Sequence, residues 1–252
     1  MSEAQSRRRA WITGAGSGIG RALAKRLAQQ GWDVAISARS ARDLDSLAAE
    51  VPGRISAFLL DVTDATANAA TVEAIEQNLG ALDLVVLNAG SYFPVRATSF
   101  SAENFRKTID VNLLGTSYGL AAILPRMVVR RSGHIAIMAS VAGFVGLPNA
   151  SSYAATKAAL NAMSESLKVE LEPHNVTLTV INPGFVKTPA TDKNDFTMPW
   201  LIGTDEAIDA IINGLERKKY EIIFPWQMAV AMKILRVLPH WLQFAITRRM
   251  VR

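Results

Sequence analysis

Short, nearly all-apolar runs alternate along this chain with stretches in which apolar residues recur every three or four positions. The runs AWIT (10–13), DVAISA (33–38), ISAFLL (55–60), LDLVVLN (82–88), HIAIMAS (134–140) and VTLTVIN (176–182) read as strands. Several are apolar on both faces, as parallel strands must be when helices cover them from either side. Helix-like stretches fall between them, near 19–30, 41–50, 64–79, 102–130 and 152–172. Strands alternating with helices predict a doubly wound parallel α/β sheet with right-handed crossovers. No repeat, low-complexity tract or linker interrupts the pattern. One domain is expected over residues 1–252, with its core over about 9–223 and a tail over about 224–252.

In such sheets a ligand binds outside the carboxyl ends of the strands, so the residues just after each strand carry the interest. The first strand runs into TGAGSGIG (13–20), with Gly14, Gly16, Gly18 and Gly20 ahead of a helix. Glycine allows tight turns and lets backbone N–H groups approach a pyrophosphate at a helix N-terminus. The spacing is Gly14-x-x-x-Gly18-x-Gly20, not the usual G-x-G-x-x-G. At the end of the second strand, where a ribose-binding acid would stand, are Ala38 and Arg39. A guanidinium suits a 2′-phosphate, which points to NADP(H) in preference to NAD(H); the alternative is a solvated loop arginine beside Arg42. The later strands are followed by Asp61-Val62, Asn88-Ala89-Gly90, Ser140 and Asn182-Pro183-Gly184 with Thr188. Each is ordinary turn chemistry alone, yet all are expected to converge at one edge. In SSYAATKAALNAM (151–163), Tyr153 and Lys157 are four residues apart and share a helix face.

Composition narrows the classes. Half of the residues are apolar and 19% are charged, which excludes a disordered chain. There are no cysteines, hence no disulfides or thiolate metal sites, in keeping with a reducing compartment. MSEAQSRRR (1–9) is polar, and no apolar stretch long enough for a secretory signal follows before the glycines. Its three arginines read as a solvated tail, and a cytoplasmic location is expected. The net charge of +5 is local: residues 222–252 carry Lys233, Arg236, Arg248, Arg249 and Arg252 and no Asp or Glu, while residues 1–221 balance. No nucleic-acid reading motif accompanies it, so no nucleic-acid partner is expected. His134, His174 and His240 are isolated, so no metal is expected; Asp192 and Asp195 read as solvated loop acids.

TGAGSGIG (13–20), Asp61, NAG (88–90), Asn112, Ser140, Tyr153-x-x-x-Lys157 and Pro183-Gly184 together resemble the short-chain dehydrogenase/reductase family, in both order and spacing. The resemblance covers nearly the whole chain, and Ser140 stands the usual 13 residues before Tyr153. One departure is Leu87 before Asn88, where the family often has a second Asn. The resemblance implies a Rossmann-like sheet of about seven strands and an oxidoreductase acting on a small carbonyl or alcohol. It implies catalytic roles for Asn112, Ser140, Tyr153 and Lys157, with Tyr153 exchanging the proton, Ser140 orienting the substrate oxygen, Lys157 bonding the nicotinamide ribose, and Asn112 anchoring a water. The cofactor would be met by Gly14, Ser17, Gly18, Ile19, Gly20, Arg39, Asp61, Val62, Asn88, Ala89, Gly90, Tyr153, Lys157, Pro183, Gly184, Val186 and Thr188. A phenol ionises near pH 10, so moving it to about 7 takes roughly 4 kcal/mol, for which a nearby ammonium and a nicotinamide cation are the expected sources. A dinucleotide-sensing regulator of the same fold would be expected to lack Ser140, Tyr153 or Lys157. An epimerase would need other glycine spacing and a larger substrate domain. A homodimer or homotetramer is expected, with the alanines around Tyr153 allowing close packing on a neighbour.

Residues 185–203 should fold over the site as a mobile lid, and Phe185, Phe196, Met198, Trp200 and Leu201 lean toward an apolar substrate. In the tail, Pro239 separates two helix-like halves. Met228, Ala231, Met232, Leu235 and Leu238 form one apolar stripe, and Trp241, Phe244 and Ala245 a shorter one. With the basic residues they suit either a helix lying on an anionic membrane or packing against protein.

Overall fold

The computed structural model describes residues 7–193 and 197–250; Asp195, Phe196 and Arg252 of the sequence reading lie outside them. Seven parallel strands form one sheet in the order β3-β2-β1-β4-β5-β6-β7. They are β1 (Arg9–Thr13), β2 (Asp33–Ala38), β3 (Ile55–Leu59), β4 (Leu84–Leu87), β5 (Gly133–Met138), β6 (Val176–Pro183) and β7 (Glu221–Phe224). The six expected strands form within a few residues of their predicted ends. The apolar runs omit β7, which is four residues long and follows a helix that the periodic stretches also omit. The order reverses between β1 and β4, whose registers place Ile12 beside Val86.

Helices cover both faces. On one, α1 (Gly18–Gln29), α2 (Ala41–Glu50) and α7 (Thr204–Glu216) bury Leu23, Leu27, Leu44, Leu47, Ile208 and Ile211 against Ile12, Ile36 and Val86. On the other, α3 (Ala65–Leu79), α5 (Gly115–Arg130) and α6 (Ser151–Leu171) bury Val72, Ile75, Ile123, Met127 and Leu160 against Trp11, Val85 and Ile137. Strand alternation explains the division: Ile12 and Trp11 are neighbours that point to opposite faces. The helix expected over 102–130 is α4 (Ala102–Ile109) and α5, joined by a wider π turn at Asp110–Leu114.

The amino-terminal arginines are not a free tail. Arg9 opens β1, Arg8 lies 4.2 Å over the Trp32 ring, and Arg7 pairs with Asp33 at 3.9 Å. The chain ends in α8 (Trp226–Val237) and α9 (His240–Thr247), divided at Pro239 as the sequence suggests. Met228 and Met232 are buried with Val141 and Val145, and Leu235 packs beside them. Met228, Met232 and Leu235 of the predicted stripe therefore pack on the protein's own core, while Ala231 and Leu238 are half-buried.

His134 sits at the amino end of β5, remote from the glycine turn. Its Nε2 is 2.8 Å from Thr179 Oγ1, whose hydroxyl donates to Lys219 O at 2.7 Å. The hydroxyl's single proton is spent there, so the neutral ring is the Nε2–H tautomer. Burial, reinforced by the Lys218 charge, pushes the His134 pKa from 6.5 down to about 4. Between those values the unfolded chain takes up a proton that the folded ring refuses. This contribution is complete above pH 6.5 and is lost as pH falls toward about 4. At its full extent it is on the order of 3 kcal/mol. Chemical denaturation between pH 7 and 4 should show this decline, and His134→Gln, which keeps an N–H donor, should flatten it.

Candidate active site

The site forms where β1 and β4 diverge. Thr13 ends β1 buried, and its Oγ1 accepts the N–H groups of both Asn88 and Ala89 at 3.0 Å. The Asn88 amide donates back to the carbonyls of Thr13 (2.9 Å) and Gly14 (3.2 Å). These bonds press the two turns together until there is no room for side chains. Gly14 has φ +66°, and a Cβ there would fall 2.7 Å from Ala89 Cα; one on Gly20 would fall 2.6 Å from the Gly14 carbonyl. Ser17 precedes α1 without capping it through its side chain. The uncapped N–H groups of Gly18, Ile19 and Gly20, above a surface bare of side chains, could hold a pyrophosphate. Thr188 lies against Gly18, at 3.6 Å from the place a Cβ would occupy.

Arg39 is exposed just beyond β2 and makes no ion pair among the described residues. Asp61, beyond β3, accepts from the Thr63 N–H (3.0 Å) and hydroxyl (2.8 Å). These bonds, the backbone one foremost, lower its pKa, and the charge of Arg39 contributes. Arg39 and Asp61 thus face one edge of the crevice. Val62 is buried beside Gly115, whose missing Cβ leaves it room. Val186 is buried in the core, and its carbonyl accepts the Thr191 hydroxyl at 2.7 Å. Val186 also bridges to Ile202, so the two ends of 185–203 are held together.

Tyr153 and Lys157 come from the first two turns of α6. The Val141–Gly143 turn after β5 packs directly on this helix: a Cβ on Gly143 would fall 2.6 Å from the Lys157 carbonyl carbon. That contact carries Ser140 to Tyr153, to which it is hydrogen-bonded. Ser140 also donates to Pro183 O (3.3 Å) and accepts from the Ala142 N–H (3.2 Å). Lys157 is buried, its Nζ donating to Met138 O at 2.7 Å and standing 5.5 Å from the centre of the Tyr153 ring. Gly90 approaches both Lys157 Nζ and Asn112 Oδ1.

Asn112 is fully buried in the π turn, a conformation that often marks a functional position. Its Oδ1 accepts the Ser91 N–H (2.7 Å), and its Nδ2 donates to Ser91 O (3.0 Å) and Thr156 Oγ1 (3.2 Å). The side chain thus ties the turn after β4 to α6. Sequence reading passed over three supports. Thr13 signals itself as a hydroxyl at the end of a buried strand, and Ser91 and Thr156 carry no such mark. Tyr92, also unforeseen, sets its ring edge-on to Tyr153 at 5.6 Å and donates to Asn149 O at 2.9 Å.

The electrostatics differ from expectation in one respect. Burial pushes the Tyr153 phenol above its ordinary pKa; the Ser140 hydrogen bond opposes this and Tyr92 reinforces it. Burial also pushes Lys157 down to about 8. Desolvation disfavours both charged forms at once. The protein alone therefore does not poise this phenol near neutrality. A cleft at the opposite, amino end of the strands, beside Arg8, Trp32 and His134, contains none of these groups.

Comparison with known proteins agrees with this geometry. The short chain dehydrogenase profile matches residues 8–198. An uncharacterized oxidoreductase of Myxococcus xanthus is 40% identical over 248 residues, 97% of this chain and 98% of that one. A 3-oxoacyl-(acyl-carrier-protein) reductase of Thermotoga maritima is 36% identical over 185 residues, covering 72% and 75%. Among solved structures, a short-chain dehydrogenase of Sphingobium yanoikuyae in complex with NADPH superposes with a TM-score of 0.80 at 30% identity, covering 90% of this chain and 92% of that one.

The two left-handed glycines of the first turn separate backbone strain from lack of space. An alanine costs about 1–2 kcal/mol from φ alone at either Gly14 or Gly18. Only at Gly14 does the new Cβ also meet backbone. Denaturant unfolding should show Gly14→Ala more destabilised than Gly18→Ala, and dinucleotide titration should show Gly14→Ala the weaker binder.

Proposed function

The chain belongs to the short-chain dehydrogenase family, and from that membership we propose an NADP(H)-dependent oxidoreductase acting on a carbonyl or alcohol, with Tyr153 as general acid and base. One observation carries the reading. The Tyr153 hydroxyl, the Ser140 hydroxyl and the Lys157 ammonium converge at the carboxyl edge of the sheet, beside a turn stripped of side chains.

The residues fit a dinucleotide. Gly14, Ser17, Gly18, Ile19 and Gly20 take the pyrophosphate, Arg39 the 2′-phosphate, and Asp61 with Val62 the adenine end. Asn88, Ala89, Gly90, Pro183, Gly184, Val186 and Thr188 hold the nicotinamide half, together with Tyr153 and Lys157. The nicotinamide supplies the hydride donor or acceptor when bound. The protein supplies the proton and the orientation. Ser140 fixes the substrate oxygen, and Tyr153 gives that oxygen a proton in reduction or takes it in oxidation. Lys157, with its Nζ 5.5 Å from the ring centre, brings a positive charge that favours phenolate over phenol. Asn112 positions Lys157 by clamping the turn after β4 to α6. The names of the Thermotoga and Sphingobium proteins, a carbonyl reductase and an NADPH complex, support this reading. The reading extends to a cytoplasmic homodimer or homotetramer, for which exposed Ala155 and Ala158 offer a close-packing face.

Tyr153→Phe keeps the ring and removes the transferable proton, so turnover with NADPH and a carbonyl panel should fall by about 10²–10⁴-fold with little change in cofactor affinity. Near-normal turnover would remove the phenol from the mechanism.

Arg39 should set cofactor choice. A charge-assisted hydrogen bond of about 1.5–3 kcal/mol predicts NADP(H) bound roughly ten- to a hundredfold more tightly than NAD(H). Ala38→Asp combined with Arg39→Ala should reverse the order in calorimetric titrations. Equal dissociation constants for the unmodified protein would refute the assignment.

A further inference from the structure

α8 is apolar on two sides. Met228, Met232 and Leu235 turn inward, yet Trp226, Val230, Ile234 and Val237 recur at i, i+4, i+8 and i+11 on the outer side, with the Glu221-paired Lys233 among them. Trp226 is 70% exposed and Val237 79%. The pattern continues on α9, where Trp241 is 72% exposed and Phe244 and Ile246 are also open. Gln243 Nε2 donates to Leu235 O at 3.1 Å and fastens α9 to α8. An exposed apolar stripe opposite a buried one leaves a second face to cover.

The charges around this face identify what covers it. From Ile222 to Met250 there is no Asp or Glu. Lys233 is paired with Glu221 at 2.6 Å, while Arg236, Arg248 and Arg249 make no ion pair among the described residues. Exposed tryptophans on helices whose arginines make no ion pair among the described residues suit an anionic partner with an apolar interior. A second copy joined by a two-fold through this face would set arginine against arginine, with Glu221, already paired to Lys233, as the acid bordering it. Neither helix crosses a bilayer: α8 has 12 residues and α9 has 8, against roughly 20 needed.

We propose that the outer face of α8 and α9 docks this protein on an anionic lipid surface, with Trp226, Val230, Ile234, Val237, Trp241 and Phe244 entering the interface and Arg236, Arg248 and Arg249 meeting the headgroups. The chemistry is that of an interfacial amphipathic helix: shallow apolar burial strengthened by attraction to acidic lipid. The contacting face is opposite to the Met228–Met232 stripe that the sequence pattern favours. The proposal stands apart from the reaction assigned above, since none of these side chains belongs to that site.

The test is co-sedimentation of the full chain with phosphatidylcholine vesicles and with vesicles containing phosphatidylserine. The protein should pellet with the acidic vesicles at low salt, stay in solution with the neutral ones, and be released as salt screens the headgroups. Arg236→Gln, Arg248→Gln and Arg249→Gln together should lower the partition coefficient roughly a hundredfold, at about fivefold per cation. Trp226→Ser with Trp241→Ser should abolish pelleting while leaving the circular dichroism and melting curve unchanged, because both positions are exposed. Protein remaining in the supernatant with acidic vesicles at low salt would overturn the proposal, as would equal binding to neutral ones. So would a dimer dissociated by the tryptophan changes in a protein without vesicle affinity, an outcome that would make this face a subunit contact.

Discussion

Close backbone approach at the switch point between β1 and β4 is the constraint on which the remainder depends. A parallel sheet whose order reverses there leaves two strand ends side by side with their crossovers leaving in opposite directions. Here the Thr13 hydroxyl accepts two N–H groups from the neighbouring turn, and the Asn88 amide donates in return to two carbonyls. Those bonds hold the turns so tightly that Gly14 and Gly20 cannot carry a Cβ. The emptiness that a dinucleotide needs is thus a consequence of the same hydrogen bonds that stabilise the fold.

A second close approach builds the chemical half of the site. Gly143 lets the turn after β5 rest on the backbone of α6 at Lys157, and Ser140 reaches Tyr153 through that contact. Asn112 completes the arrangement from the other side, bonding both Ser91 and Thr156 from a π turn that widens the helix. Burial there acts against ionisation of the phenol and the ammonium alike. A site built in this way keeps its phenol protonated at rest, leaves Lys157 (about 8) charged at neutral pH, and responds strongly to any charge brought beside it, because a low dielectric magnifies the interaction.

The carboxy-terminal helices join this centre to the surface. The inner side of α8 packs Met228 and Met232 on Val141 and Val145, next to Ser140, and Met228 reaches Gly184. Its outer side presents the apolar and basic face. One helix therefore forms part of the wall behind the site and part of the exterior.

Periodicity was enough to determine the class of fold, because strands covered on both faces are apolar throughout and alternate with helices of period 3.6. Motif spacing likewise marked Gly14, Ser140, Tyr153 and Lys157, since turn glycines and a helical i, i+4 pair are local features. Tertiary structure decided whatever depended on a distant partner. The four residues of β7 are a strand only because β6 lies beside them, with Ile181 paired to Ile222. Arg7 to Arg9 look like a solvated tail until Trp32, Asp33 and Asp83 are brought to them. The sign of the Tyr153 shift could not be read from a neighbouring lysine, because burial is the largest influence, only opposed by Ser140, and burial is a property of the whole packing. For α8, the sequence holds two apolar stripes, and only contact with Val141 and Val145 settled which of them faces inward.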